Sequence, residues 1–188
     1  SLGLVGSEMC IRDSARTGWS GELSYELYLQ DRKLGNELFE IVYEAAKEFN
    51  GAVIAPNTIR TIEGGLLSYG SDFGREHSPY TIGLERLIDL DQDIDFIGKE
   101  ALKRINKAGL KEKLVGVELE GEPILKVPEN FWPVLDDKDT KIGRLSRCFF
   151  SPRLEKNIGL AIVDIHYSKQ GTERIVQAPH EKISSIVV

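Results

Sequence analysis

From residue 114 to the end of the chain, short apolar runs alternate with turn-forming residues. The apolar runs have the length of strands and occupy residues 114–119, 142–150, 158–165, 174–177 and 183–188. Turn residues stand between them, as at Glu122-Pro123 and Glu129-Asn130. Several short strands at such a spacing are typical of a small antiparallel β-barrel. This pattern limits the possible folds more than any other in the chain, and it predicts a barrel domain over residues 109–188.

The residues before the barrel favour helices, so the predicted fold class is α+β. Asp31 is a suitable N-cap, and apolar residues then recur at three- and four-residue steps from residue 34 to residue 49. Further helices are predicted over residues 56–67, with Gly64-Gly65 in the interior, and over residues 96–105. We also expect a short buried strand at residues 52–54 and a strand-like segment at residues 81–90.

Two segments of this region predict loops. Asp89, Asp91, Asp93 and Asp95 form an acidic run that lacks the glycine and the closing glutamate of an EF-hand, so we expect a solvated loop. Residues 106–113 are rich in charge and contain a glycine, which is typical of a domain boundary. The first domain is therefore predicted over residues 15–108.

Residues 1–14 are expected to be foreign to the fold. They lack the basic start and the apolar centre of a signal peptide, and they resemble a translated sequencing-adapter or vector tail. We therefore exclude them from the predicted fold and expect them to pack poorly.

Residues 15–29 join a glycine-rich turn to a predicted strand. Leu23, Tyr25, Leu27 and Leu29 alternate with polar residues, which indicates an extended chain over residues 23–29. The turn before it carries Trp19, whose indole, together with the carboxylate of Glu26, suits a flat heterocycle that has ring N–H groups. On pattern alone, an edge hairpin with Trp19 in the core and Glu26 in water is the favoured alternative.

Composition excludes several classes of protein. The 188 residues carry a net charge of −6, which argues against nucleic-acid binding, and no apolar run approaches the length of a membrane span. Two cysteines provide no disulfide framework, so we expect a cytoplasmic protein. The three histidines have no partners at the spacing of metal ligands, so we expect no metal site.

The turn and strand also carry a family resemblance. Residues 16–27 read Arg-Thr-Gly-Trp-Ser-Gly-Glu-Leu-Ser-Tyr-Glu-Leu, which resembles the signature of the glycine-cleavage T-protein (aminomethyltransferase) superfamily. Members of that family are three-domain, folate-dependent one-carbon transferases. The resemblance implies that Trp19 lies against the pterin of tetrahydrofolate and that Glu26 holds the pterin amino and ring nitrogens.

The resemblance extends over nearly all of residues 15–188. Residues 55–70 are similar to a family helix that ends in Tyr-Gly, and residues 143–154 and 158–161 are similar to the signature of the family's C-terminal barrel. Asn57 and Thr61 stand where typical aminomethyltransferases carry arginines, and Arg60 is offset by one position from the second of these. The resemblance implies that Arg60 binds the cofactor, and these departures leave open whether it contacts the folate glutamate tail.

The implied function is transfer of a methyl or aminomethyl group from a small-molecule donor to tetrahydrofolate. Residues 65–73 and 78–80 lean toward the dimethylsulfoniopropionate demethylase branch, whereas Gly21-Glu22 is more similar to other branches. The first motif sits near the middle of a full-length member, so the resemblance implies a C-terminal fragment whose catalytic residue lies in a missing N-terminal half. The alternatives are a non-catalytic folate-binding paralogue, the folate module of a flavin-linked amine dehydrogenase, and an interaction domain that has lost its ligand.

Overall fold

The structure is a computed structural model that describes residues 11–55 and 57–188. These residues fall into two compact units, an N-terminal unit up to Gly64 and a C-terminal unit from Gly65. The domain boundary predicted at residues 108/109 stays a prediction. Within these described residues, the N-terminal unit contains a two-stranded sheet and two α-helices, and the C-terminal unit contains one α-helix and a closed barrel, which confirms the predicted α+β class.

The N-terminal unit begins with an antiparallel hairpin. Strand β1 (Ile11–Ala15) pairs with strand β2 (Glu26–Leu29), and Ala15 lies opposite Glu26. Excluding residues 11–14 from the fold was therefore wrong, because these residues form most of β1. Residues 1–10 of the predicted tail lie outside the described residues. Strand β2 is also shorter than predicted, because the chain between residues 16 and 25 forms a loop.

The first predicted helix is confirmed. A 3₁₀ turn (Arg32–Leu34) leads into helix α1 (Gly35–Lys47), and the Asp31 carboxylate accepts a hydrogen bond of 2.9 Å from the backbone N–H of Lys33. After the helix, Asn50 adopts a left-handed φ of 56°, and the Gly51 N–H bonds the Ala46 carbonyl oxygen at 2.8 Å. This is the exit expected where asparagine follows a helix, because asparagine tolerates the left-handed region.

The apolar side of α1 is open to solvent within the chain. Phe39, Ile41 and Val42 are between 45% and 49% exposed. The buried strand predicted at residues 52–54 is wrong, since these residues form no strand and Ile54 is 85% exposed.

Helix α2 (Thr58–Glu63) is shorter than predicted. The side chain of Asn57 caps its start and accepts from the Ile59 N–H at 2.8 Å. The Gly64 N–H bonds the Arg60 carbonyl at 3.0 Å, and Gly65 follows with a φ of +62°. The two glycines therefore end the helix, and the prediction that they lie inside it was wrong.

The C-terminal unit starts with turns and one helix. Residues 81–90 form turns and a 3₁₀ segment (Glu85–Leu87), so the predicted strand-like segment is wrong. The acidic run lies in an exposed loop, as predicted. Helix α3 (Lys99–Ala108) follows and ends at Gly109.

The barrel has six strands in the order β3-β6-β5-β4-β7-β8, and β8 pairs back with β3. All neighbouring strands are antiparallel. Their bounds are β3 (Glu112–Leu119), β4 (Trp132–Leu135), β5 (Lys141–Ser151), β6 (Lys156–Asp164), β7 (Glu173–Gln177) and β8 (Lys182–Val187). The predicted barrel is confirmed, although the sequence analysis missed β4.

The barrel encloses the main hydrophobic core. Four residues of this core have no exposed surface: Leu145 and Cys148 on β5, Ala161 on β6 and Val176 on β7. Burial raises the pKa of the Cys148 thiol to about 12, so this thiol stays protonated and behaves as a small apolar side chain.

A β-bulge in β5 positions Arg147 to form a buried ion pair with Asp72. The pairing of β5 with β6 slips between Leu145 and Arg147, so that Ser146 is an extra residue in the strand. Both Ser146 and Arg147 then bond the carboxylate of Asp72, which is fully buried. A bulge re-aims side chains in this way because it interrupts the alternation of the strand.

The Asp72 carboxylate has four donors. The Ser146 hydroxyl and Arg147 Nε donate to Oδ1 at 2.7 and 2.8 Å. The Ser68 N–H donates to Oδ2 at 2.7 Å, and a second guanidinium nitrogen of Arg147 bonds the same oxygen. Arg147 also donates to the Leu66 carbonyl at 2.9 Å, so the pair fastens residues 66–72 to the barrel.

Candidate functional site

The loop between β1 and β2 is held closed by Ser24. Its hydroxyl donates to the Thr17 carbonyl at 3.1 Å. A Cβ atom added at Gly18 would lie 1.7 Å from this hydroxyl oxygen and 2.7 Å from the Ser24 Cβ, so a side chain at position 18 would displace Ser24. The glycine-rich turn predicted from the sequence is thus present, and its closure places Thr17 near the first residue of β2.

Gly21 brings the same loop to the end of α2. Its φ is +73°, a conformation that favours glycine, and a Cβ atom added there would lie 3.6 Å from the Cα of Gly64. The residue after this turn, Glu22, is therefore close enough to α2 to reach Arg60.

The carboxylate of Glu26 is fixed by two hydroxyl groups. Thr17 donates to Oε2 at 2.5 Å, and Tyr28, two residues along the same face of β2, donates to Oε2 at 3.0 Å. These hydrogen bonds, that of Thr17 first, lower the pKa of Glu26, because they stabilise the ionised form. Glu26 is thus an ionised acceptor at the surface, and its other oxygen, Oε1, can accept from a ligand.

Arg60 lies between two carboxylates. Its Nη1 is 3.2 Å from Oε2 of Glu63, one helical turn away on α2, and its Nη2 bonds the carboxylate of Glu22. Arg60 thus makes one ion pair within α2 and a second with the hairpin loop.

A depression of about 340 Å³ opens in the hairpin loop. It is lined by Arg16, Thr17, Gly18, Glu22, Leu23 and Ser24. One cation and one anion therefore face the same small space, with the Thr17 and Ser24 side chains beside them.

The predicted ligand residues lie around this loop, but the depression is not lined by them. Trp19 stands on the loop with 54% of its surface exposed, and Glu26 is at the start of β2. The alternative that places Trp19 in the core is wrong, whereas Glu26 does face solvent. A joint role of Trp19, Glu26 and Arg60 in binding a cofactor stays a prediction.

Sequence reasoning missed the residues that support the predicted ones. Thr17 and Tyr28 both belong to the segment 15–29. The two-residue spacing of Glu26 and Tyr28 in a strand could have indicated that these side chains share a face. Arg60 and Glu22 are far apart in the sequence, so no local pattern predicts their ion pair. The pair also depends on the positive φ of Gly21, and the presence of a glycine is the one sign of this turn in the sequence.

Two protein-family models match this chain. The model of the GCVT N-terminal domain matches residues 9–92, and that of the glycine cleavage T-protein C-terminal barrel domain matches residues 112–188. Together they cover more than half of the chain.

Curated relatives carry two names. An aminomethyltransferase of Thermoanaerobacter pseudethanolicus is 34% identical over 177 residues, which are 93% of this chain and 46% of the relative. The dimethylsulfoniopropionate demethylase DmdA of Ruegeria pomeroyi is 32% identical over 178 residues, 95% of this chain and 47% of the relative. The chain thus spans about half the length of the curated relatives it matches.

A solved structure shares the fold. The crystal structure of the glycine cleavage system aminomethyltransferase T from Bartonella henselae matches with a TM-score of 0.72 and 20% identity, over 93% of this chain and 47% of that chain. In the described parts of the chain, none of the helices is long and apolar enough to cross a membrane. The two family models, the relatives and the closed barrel together show that the chain belongs to the glycine-cleavage T-protein (aminomethyltransferase) superfamily, a family of folate-dependent methyl and aminomethyl transferases.

Proposed function

We propose that this chain forms one wall of a tetrahydrofolate site in a longer one-carbon transferase of the cytoplasm. The observation that carries the proposal is the fixed carboxylate of Glu26, which Thr17 and Tyr28 hold through one oxygen. An ionised carboxylate with a second oxygen available is suited to the amino and ring N–H groups of a pterin, because charge-assisted hydrogen bonds are stronger than neutral ones.

Two further residues complete the proposed wall. The exposed indole of Trp19 offers a flat apolar face on which a pterin ring stacks. Arg60 offers a guanidinium, one-third exposed, to a carboxylate of the glutamate tail. Bound tetrahydrofolate supplies the nitrogen that receives the one-carbon unit, and the residues of this chain hold and orient it.

The donor is proposed as a small molecule that carries a methyl or an aminomethyl group. Both kinds of relative support this class, and the segments at residues 65–73 and 78–80 favour a dimethylsulfoniopropionate demethylase-like member. The alternative is a non-catalytic folate-binding paralogue or the folate module of a flavin-linked amine dehydrogenase. Glu22, Glu63 and Asp72 are all engaged in ion pairs, which fits this alternative and equally fits a catalytic residue outside this chain.

Glu26→Gln is expected to weaken tetrahydrofolate binding. The neutral amide loses a charge-assisted hydrogen bond, on the order of 1.5–3 kcal/mol, which corresponds to roughly a tenfold to hundredfold loss of affinity. The measurement is calorimetric titration of tetrahydrofolate into the proposed longer protein. Glu44→Gln removes the same charge from an exposed position on α1 and serves as the control. Equal affinities in the two variants would remove Glu26 from the site.

The 188-residue chain alone is expected not to transfer a one-carbon unit. Transfer needs donor and acceptor in line within a pocket that excludes water, and the described site presents Trp19 and Glu26 at the surface. The measurement is single-turnover transfer to tetrahydrofolate, by the chain beside the longer protein. Turnover by the chain at a similar rate contradicts the expectation and would place the catalytic group among the acids of this chain.

A further inference from the structure

The two carboxylates that bind Arg60 differ in their surroundings. The Glu63 side chain is 8% exposed and lies on the same helix, whereas the Glu22 side chain is 63% exposed and comes from the hairpin loop. Arg60 itself is 33% exposed. Glu63 is therefore the fixed partner of the guanidinium, and Glu22 is the partner that solvent and ligands can reach.

The loop delivers Glu22 to Arg60 without burying it. The positive φ of Gly21 turns the chain toward Gly64, and the Glu22 N–H bonds the Ser20 hydroxyl at 3.2 Å. The backbone of Glu22 is thus held by a hydrogen bond, while its exposed side chain pairs with Arg60. An exposed ion pair of this kind contributes little net free energy, because water competes for both charges.

Glu22 also lines the depression in the hairpin loop, beside Arg16. The carboxylate that pairs with Arg60 therefore belongs to a residue that a ligand in this depression can contact. A ligand that brings its own carboxylate can replace Glu22 and restore the same bond, at the cost of one weak exposed contact.

We propose that Glu22 is an exchangeable partner that holds Arg60 in place before binding and gives way to the carboxylate of the folate glutamate tail. This inference rests on the proposed function, and it adds that Glu22 and the ligand carboxylate compete for Arg60. It follows that Glu22 lowers the affinity for ligands that carry the glutamate tail and has no effect on ligands that consist of the pterin ring alone.

The test compares two ligands on the 188-residue chain by isothermal titration calorimetry. Tetrahydrofolate carries the ring and the tail, and 6-methyltetrahydropterin carries the ring without the tail. Glu22→Gln is expected to tighten tetrahydrofolate binding by about two- to fivefold, the range of an exposed ion pair, and to leave the affinity for 6-methyltetrahydropterin unchanged.

Two controls separate competition from a general effect of charge. Glu44→Gln removes the same charge from an exposed ion pair with Lys47 on α1, and it is expected to change neither affinity. In an Arg60→Gln background, Glu22→Gln is expected to lose its effect on tetrahydrofolate, because the two residues act on the same bond.

The outcomes distinguish this inference from the function on which it rests. Unchanged tetrahydrofolate affinity in Glu22→Gln, with both ligands still bound, overturns the exchange and leaves the proposed function standing. Equal tightening for the two ligands also overturns the exchange. Failure of the wild-type chain to bind either ligand contradicts this chain's proposed site and the exchange together.

Discussion

Replacing Asp72 by asparagine is expected to lower the free energy of unfolding of the C-terminal unit by about 3–5 kcal/mol. The substitution keeps the size of the side chain but removes the charge that balances Arg147, whose side chain is only 9% exposed. Breaking a buried pair from one side costs this much because the remaining charge stays in a medium that solvates it poorly. Urea unfolding, followed by the fluorescence of Trp132 beside the barrel core, measures the loss.

Asp139→Asn is the matched control for Asp72→Asn. Asp139 also pairs with a cation, Lys182 at 2.5 Å, but its side chain is 66% exposed. The expected cost is below about 1 kcal/mol, since exposed pairs contribute little. If the two variants lose equal stability, burial does not govern the Asp72–Arg147 pair.

Replacing Leu145 by alanine is expected to cost about 2–5 kcal/mol. Leu145 has no exposed surface and lies in the barrel core immediately before the bulge of β5. The loss combines the transfer free energy of the removed methyl groups with the cost of the cavity they leave, and a closed barrel has little freedom to collapse around that cavity. The same urea titration measures it, with Trp132 as the probe.

Leu125→Ala provides the comparison for Leu145→Ala. Leu125 is 71% exposed, so the same chemical change removes little buried surface and is expected to alter stability by less than about 0.5 kcal/mol. A cost for Leu145→Ala as small as that for Leu125→Ala would mean that the interior of the barrel is loosely packed.

The barrel was predictable because its strands are short apolar runs separated by turn residues, and pairing between neighbouring strands stabilises the same segments as strands. The strand that the sequence analysis missed, β4, is four residues long and contains Pro133, which reads as a strand breaker. Pro133 lies opposite Arg144 of β5 and outside the β4–β7 ladder, which pairs Val134 and Leu135 of β4 with β7. Whether a strand tolerates proline depends on which neighbour each residue faces, and this information is not local in sequence.

The N-terminal unit was less predictable, for a related reason. The alternation of residues 23–29 predicts one continuous strand, but the Ser24 side chain bonds back to Thr17 and keeps the first part of this segment in a loop. Residues 52–54 are apolar enough for a buried strand, yet they have no strand partner among the described residues. A strand needs a neighbour as well as a pattern, and a single sequence does not reveal the neighbour.

The sequence named candidate residues for the site but not their connections. The family resemblance gave the roles of Trp19, Glu26 and Arg60, and these roles stay predictions. The hydroxyl partners of Glu26 and the pairing of Arg60 with Glu22 arise from the hairpin register and from one glycine turn. These depend on how the loop closes, which composition and periodicity do not encode.

The uneven ladders of the barrel have a consequence for its motions. Strands β3, β6 and β5 share long continuous registers, whereas the β7–β8 hairpin joins β4 only at Val134 and Leu135 and joins β3 over residues 117–119. Opening free energies within a protein vary with the number of bonds that must break together. We therefore expect the β7–β8 hairpin to exchange its amide hydrogens before the β3–β6–β5 ladder does, because fewer ladder pairs hold the hairpin to its neighbours.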